Sequence, residues 1–467
     1  MKFLTLRIYR HSVILMLACF FAFSVEAQLE FSISPTPVGS GARAAGMADA
    51  FGAVADDATA ASWNPAGLVQ LERPEFSIVG EWNSVTDHFS AALPNPNRGE
   101  HDLSTTNLNF ASFTYPLPML LAGRNSVVSI TYQNRFDLTR AFDANLHTSL
   151  PDFGIESDLN FDFDQDGALG VISPAYAIEL THNLSIGVAV NFWRSSFISE
   201  NSWDQTITVD TSTTFDGGTP DTTHGVTLDE YEDFEGENFT AGLLWNVAPK
   251  WNLSLRYDSG FTGDVDFKKT ITQENSLVPD IPTQTFAFDQ EMSMPDTIGF
   301  GVAYRHNDRL TLALHVSRTD WNDFYLEDPS GKKTSLVDGT DLSNPDTYTH
   351  FDPTHSIRFG AEYVFIPKNT DSELKYLWSL RGGLIYDEEP ASDRSTFDPN
   401  SSGHGTPDRF YGYALGVGLQ AFRRVNIDLA YQYRRGDDVK SDRVRGLPGF
   451  SEDYRQHRVI LSSIIYF

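Results

Sequence analysis

The chain is almost without cysteine: Cys19 is the sole one in 467 residues. It falls inside an apolar run, Val13 to Phe23, which follows Lys2, Arg7 and Arg10 and precedes Val25-Glu26-Ala27. A basic start, a short apolar stretch and small residues at the −3 and −1 positions describe a secretory signal peptide cleaved after Ala27. Met16-Leu17-Ala18-Cys19 lacks the leucine spacing of a lipoprotein signal, and further apolar residues (Phe20, Phe21, Phe23) follow it. The mature chain is therefore expected to be exported and thiol-free, with neither disulfides nor thiolate chemistry. Such a chain must be held together by other means, and a closed hydrogen-bonded barrel is one.

Basic charge is also scarce. Against 63 Asp and Glu there are 34 Lys and Arg, a net charge of −29, which argues against a nucleic-acid partner because phosphates demand basic surface. Beyond residue 27 no apolar stretch approaches the ~20 residues of a membrane helix. Nor is there a G-x-S-x-G elbow, an H-E-x-x-H zinc motif or a phosphate loop, so no enzymatic class is indicated.

What the chain does have is alternation. Leu184, Ile186, Val188, Val190 and Phe192 are interleaved with Ser185, Gly187, Ala189, Asn191 and Trp193, and segments around 253–257, 310–317, 356–365 and 425–434 repeat the pattern. Period two is the strand signature. In a membrane barrel the apolar face meets lipid and the polar face lines the lumen. The connections decide for a barrel. Short ones near 116–125, 181–183, 248–250, 306–308, 367–375 and 423 alternate with long ones near 85–106, 136–168, 199–235, 258–292, 318–354, 387–408 and 436–453. Outer-membrane barrels sort their loops in this way, short on the periplasmic side and long outside, around an even number of strands. About fourteen antiparallel strands result, an all-β transmembrane barrel over residues 75–467. Aromatics near strand ends, among them Trp82, Tyr132, Trp193, Trp245, Trp251 and Trp321, are expected at the headgroup level.

Residues 28–74 do not alternate. Rich in alanine and glycine, they favour short helices and close packing, and they hold too few large apolar side chains for a core of their own. The barrel lumen is the place left for them. This segment reads Gly41-Ala42-Arg43-Ala44-Ala45-Gly46-Met47, then Ala50-Phe51-Gly52-Ala53-Val54-Ala55-Asp56-Asp57-Ala58-Thr59-Ala60, then Trp63-Asn64-Pro65-Ala66-Gly67-Leu68. It resembles the N-terminal hatch of the FadL/TodX family of outer-membrane transporters for long-chain fatty acids and hydrocarbons. The resemblance implies a fourteen-stranded barrel in a Gram-negative outer membrane, plugged by this partly helical hatch. Asn64, Pro65 and Ala66 fall on the family's Asn-Pro-Ala motif, and the terminal Phe467 resembles the signal read by the barrel assembly machinery. The implied partners are a long-chain fatty acid or related hydrophobic ligand and the lipid of the outer membrane. A barrel of the same superfamily serving as a secretion-system shuttle or scaffold is the alternative.

Three further groups of residues follow. A fatty acid needs a cation for its carboxylate, and strand parity turns Arg256, Arg358 and Arg434 into the lumen; Arg305 and Arg381 share that parity. The planar guanidinium suits a carboxylate, although lumen acids such as Glu362 and Asp428 compete for it. Asp162, Asp164 and Asp166 have the D-x-D-x-D-G spacing of a calcium loop, and suggest a structural calcium ion in an outer loop as the one candidate cofactor. Pro174 interrupts the fourth strand, where its missing N–H breaks the ladder. The resemblance implies sideways release beside the neighbouring third strand, and the expectation is an opening bounded by Val128, Ile130, Tyr132 and Pro174.

Overall fold

The computed structural model describes residues 40–90, 98–118, 123–196, 201–278, 281–337, 341–343, 350–367, 375–391, 404–439 and 451–467. The segment read as a signal peptide, with Cys19, and the first residues of the expected hatch lie outside them.

Fourteen strands close a barrel. In chain order they are β1 (Glu75–Ser90), β2 (Arg98–Pro116), β3 (Ser126–Asp137), β4 (Ile155–Thr181), β5 (Leu184–Trp193), β6 (Asp221–Ala248) and β7 (Trp251–Asp258). There follow β8 (Thr297–Arg305), β9 (Leu310–Thr319), β10 (Thr354–Phe365), β11 (Tyr376–Glu389), β12 (Asp408–Ala421), β13 (Val425–Val439) and β14 (Ser451–Tyr466). Each pairs antiparallel with the next, and β14 returns to β1 from Glu75↔Tyr466 to Ser90↔Ser451, so the wall has no free edge. Closure satisfies the backbone in a medium that offers it no water.

Side chains sort as the alternation requires. Leu384 (63% exposed), Leu415 and Leu461 point outward, where lipid takes the place of solvent, while Arg358 (4%), Ser356 and Asp428 point into the lumen. Turns of two residues join β4 to β5 and β6 to β7 on the periplasmic side.

The other end departs from expectation. Much of the chain read as long acidic loops is strand. β4 and β6 run 27 and 28 residues, well past the membrane; strands 140–150, 202–215 and 261–275 pair onto their upper halves, and 284–294 pairs onto 261–275. Short strands 325–327 and 333–335 extend the sheet. Its Thr-rich and alternating stretches, such as Thr206-Ile207-Thr208-Val209, have strong β-propensity. One face of this extracellular sheet is buried over the barrel mouth and the other is acidic and exposed.

Asp162, Asp164 and Asp166 lie on that exposed face, in β4. Three alternate positions of a strand spread their carboxylates over about 13 Å, whereas calcium ligands stand 2.3–2.6 Å from one ion. The calcium loop inferred from the spacing is not formed: the segment is extended where a loop would curl. Among the described residues no cluster of acidic or histidine side chains has metal-binding geometry. The aromatic belt also needs correction. Trp245 and Trp251 face lipid near the periplasmic turns, but Trp193 and Trp321 are buried inside the mouth.

Candidate functional site

Three layers fill the lumen from outside inward: an apolar cluster, a tier of paired charges and the hatch. The cluster lies where the strands emerge from the membrane, built on Trp193, Trp203, Phe234, Phe267, Met292 and Trp321. Trp193 stacks on Phe261 at 5.4 Å between ring centroids, and Trp203 on Tyr231 at 4.7 Å. Offset stacks of this kind leave edges and faces against which a hydrocarbon chain packs, and methionine adapts its shape to what it meets.

Beneath it arginines pair with carboxylates; besides Arg458 with Glu81 and Arg140 with Glu452, three groups of different charge balance bear on the candidates. Arg358 bonds Asp387 at 2.8 Å and stands 3.6 Å from Asp49, while Arg434 bonds Glu389 at 2.6 Å and approaches Asp387 at 3.2 Å. Two guanidinium groups here meet three carboxylates. Arg381 bridges Glu362 and Asp428 at 2.8 and 2.6 Å, and the hatch residue Arg43 grips Glu362 with two bonds of 2.9 and 2.8 Å while also facing Asp56 and Asp57. That group too is rich in carboxylate. The third is reversed: Arg256 and Arg135 share Asp258, at 2.9 and 3.1 Å, and no second acid bonds either of them among the described residues. Arg135 also lies over the Trp193 ring at 5.8 Å, which puts this cationic pair at the floor of the apolar cluster.

Of the three candidate arginines, the structure thus leaves Arg256 under-neutralised and holds Arg358 and Arg434 between several acids. Arg305 is removed from the lumen set: it sits at a periplasmic turn beside Asp308, with its side chain 64% exposed. Sequence reasoning missed Arg135, although a signal existed in its inward parity. What the pattern did not show is the bulge between Asn134 and Phe136, which turns successive residues inward and tips Arg135 toward Asp258. Bulges re-aim side chains in this way.

The hatch consists of α1 (Ala42–Gly46), α2 (Ala60–Trp63) and a 3-10 turn over Pro65–Gln70. Its backbone, too short to satisfy itself, bonds to the wall. Gln432 donates to the Ala45 carbonyl, Ser112 to Ala58, Asn252 to Ala53, Ser185 to Ala66 and Arg256 to Trp63, and the Ala42 amide donates to the Ser462 hydroxyl. Buried backbone groups demand such partners. Asn64 bonds both the hatch and the wall. Its amide nitrogen donates to Gly52 within the hatch at 3.2 Å and to Leu243 of the wall at 3.1 Å, while its oxygen accepts from the Ala66 amide.

Wall glycines make these approaches possible. A Cβ on Gly187 would run into Pro65 and Ala66, one on Gly242 into the Asn64 side chain, and ones on Gly360 and Gly383 into Met47 and Ala48. Asn64-Pro65-Ala66 is therefore a turn clamped to the wall at β5 and β6.

The expected opening between β3 and β4 is absent from this structure. Val128, Ile130 and Tyr132 pair without interruption with Tyr176, Pro174 and Ile172. The ladder lapses instead on the other side of β4. Ile172 pairs with Phe192 and Ala175 with Ala189, but Ser173 and Pro174 pair with nothing on β5. The reason is the one anticipated, an imino acid without an N–H, directed toward the opposite neighbour. A Ser173–Asn191 side-chain bond of 2.7 Å spans the gap.

A lipid-faced fourteen-stranded barrel, closed by an N-terminal hatch and roofed by an apolar mouth, defines an outer-membrane channel for hydrophobic compounds. The chain belongs to the outer membrane protein transport protein family (OMPP1/FadL/TodX), matched over residues 38–462, a family of channels and not of enzymes. A Pseudomonas aeruginosa FadL homologue aligns with TM-score 0.57 at 15% identity, over 95% of this chain and 100% of that one. The Pseudomonas putida toluene transporter TodX gives 0.52 at 13%, over 92% and 98%, and the Ralstonia pickettii toluene transporter TbuX 0.51 at 13%, over 92% and 99%. At such identities the likeness is one of fold. No curated protein matches the chain in sequence.

Proposed function

We propose that the protein takes up long-chain fatty acids or closely related amphipathic acids. The observation that carries this reading is the cationic pair Arg135–Arg256, sharing one carboxylate directly under an aromatic cluster. A neutral hydrocarbon has no use for that surplus charge, whereas a fatty acid places its chain among the rings and its carboxylate on the two guanidiniums. The route then passes the hatch, whose Asn64–Ala66 turn must leave the wall. Release is sideways into the lipid where the ladder lapses between β4 and β5, so that the chain never meets water.

The test is uptake of labelled oleate and of labelled toluene by cells lacking the gene and complemented with wild type, Arg135→Ala, Arg256→Ala or the double variant. Loss of a charge-assisted hydrogen bond costs about 1.5–3 kcal/mol, so oleate binding to each single variant should weaken by roughly tenfold to a hundredfold. Toluene uptake, if there is any, should be unchanged. Equal oleate affinity in the double variant would refute the carboxylate site, and failure of wild type to import either compound would favour the shuttle role.

A further inference from the structure

On the outside of the wall, directly behind the Asn64–Ala66 turn, lies a cavity of about 480 Å³ lined by side chains of β4 to β7 and by the backbone of Gly187 and Gly242. Two cross-strand rows shape it. Tyr176, Val188, Ala241 and Tyr257 form the upper row, and Ile178, Ile186, Leu243 and Leu255 the lower. Ala241 is the small member of its row, and the surface dips there between the flanking tyrosines. All eight side chains have outward parity. The volume is that of an ordinary small-molecule site.

We propose that this cavity binds one acyl chain of a phospholipid from the periplasmic leaflet. The depth of the cavity selects the leaflet. Ile186 and Val188 are two and four residues above the start of β5, and Leu255 and Tyr257 four and six above the start of β7. With about 3.3 Å per residue and a tilted strand, that is roughly 5–15 Å above the periplasmic interface. Trp245 and Trp251, both exposed on the outer face just below the cavity, mark that interface, since indoles prefer the headgroup level. Lys250, in the turn beside Trp251, supplies a cation at the height of a phosphate. The floor is the glycine backbone of β5 and β6 against which the hatch turn is pressed from inside. A bound chain therefore backs a stretch of wall without side-chain bulk, at the point where the hatch turn is clamped. The inference depends on the wall alone and holds whatever the cargo.

The experiment uses the full-length protein in vesicles of phosphatidylethanolamine and phosphatidylglycerol. One arm carries phosphatidylethanolamine with a diazirine at mid-chain, the other a diazirine fatty acid. Phospholipid label is expected on peptides containing Ile186–Val188 and Ala241–Leu243, several-fold above peptides containing Leu415 or Leu461, which also face lipid. Ala241→Trp fills the dip from outside and should cut that label several-fold, while Leu415→Trp on another wall should not. Even labelling of the whole lipid face, labelling by the free fatty acid alone, or indifference to Ala241→Trp would each overturn the proposal. Should Ala241→Trp fail to show the heat-modifiable mobility of a folded barrel, Ala241→Leu replaces it, and the wild-type distribution of label decides in either case.

Discussion

At the scale of single residues, the lumen is organised by what is missing as much as by what is present. Gly187 and Gly242 are required because the Pro65–Ala66 backbone and the Asn64 amide occupy the space where a Cβ would stand. Gly382 is different: a Cβ there meets only the Ala414 carbonyl and Leu415 at 3.7 and 4.0 Å, ordinary contact distances. Gly187→Ala should push the turn off the wall, at the ~1–3 kcal/mol typical of overpacking, and Gly382→Ala should be silent. Planar-bilayer conductance checks this. A leak of at least severalfold is expected in Gly187→Ala and none in Gly382→Ala, and equal conductance in the two would refute the clamp. No periodicity reveals such a requirement. A glycine at a lumen position reads the same whether a hatch or water lies opposite, because the partner is more than a hundred residues away in the chain.

At the scale of elements, the pattern was most legible where one face meets lipid. Alternation and loop sorting located every barrel strand, since a one-residue slip would turn a whole apolar face inward. It was least legible above the membrane, where β4 and β6 continue into a sheet that is half exposed and whose strands read as acidic loop. The Asp162–Asp166 spacing misled for the same reason: period two serves a strand as well as a calcium loop. Pro174 was legible as a break, but sequence does not say toward which neighbour a strand directs its amides. The unpaired stretch on the β5 side gives a direct prediction. Pro174→Cys with Val190→Cys, joined across that gap in a chain whose single native cysteine is Cys19, should block uptake of oleate when oxidised and restore it on reduction. Ligand binding measured on the detergent-solubilised protein should be unaffected. Undiminished uptake through the oxidised barrel would exclude sideways release between β4 and β5.

At the scale of the whole molecule, the hatch is attached unequally at its two sides. Toward β10 to β14, Arg43 holds Glu362 with two charge-assisted bonds, Glu362 holds Arg381, and Gln432 and Ser462 bond the α1 backbone. Toward β5 to β7 no ion pair reaches the hatch: Asn64 bonds the Leu243 carbonyl, Ser185 the Ala66 carbonyl and Arg256 the Trp63 carbonyl. Breaking a buried ion pair costs about 3–5 kcal/mol, whereas a neutral hydrogen bond contributes about 1 kcal/mol net and one from a charged group to a carbonyl about 1.5–3 kcal/mol. The hatch is therefore expected to open from the Asn64 side and pivot on Arg43. The freed side adjoins the β4–β5 lapse, so the attachment without ion pairs and the broken ladder coincide on one side of the barrel. Two disulfide tethers separate pivot from latch. Ala66→Cys with Ser185→Cys ties the side without ion pairs and should abolish uptake until reduced. Ala42→Cys with Ser462→Cys ties the ionic side and should leave uptake within about twofold of wild type, because that side does not have to move. The opposite result, transport stopped by the Ala42–Ser462 tether and unaffected by the Ala66–Ser185 one, would place the hinge at Asn64 and reverse the direction of opening.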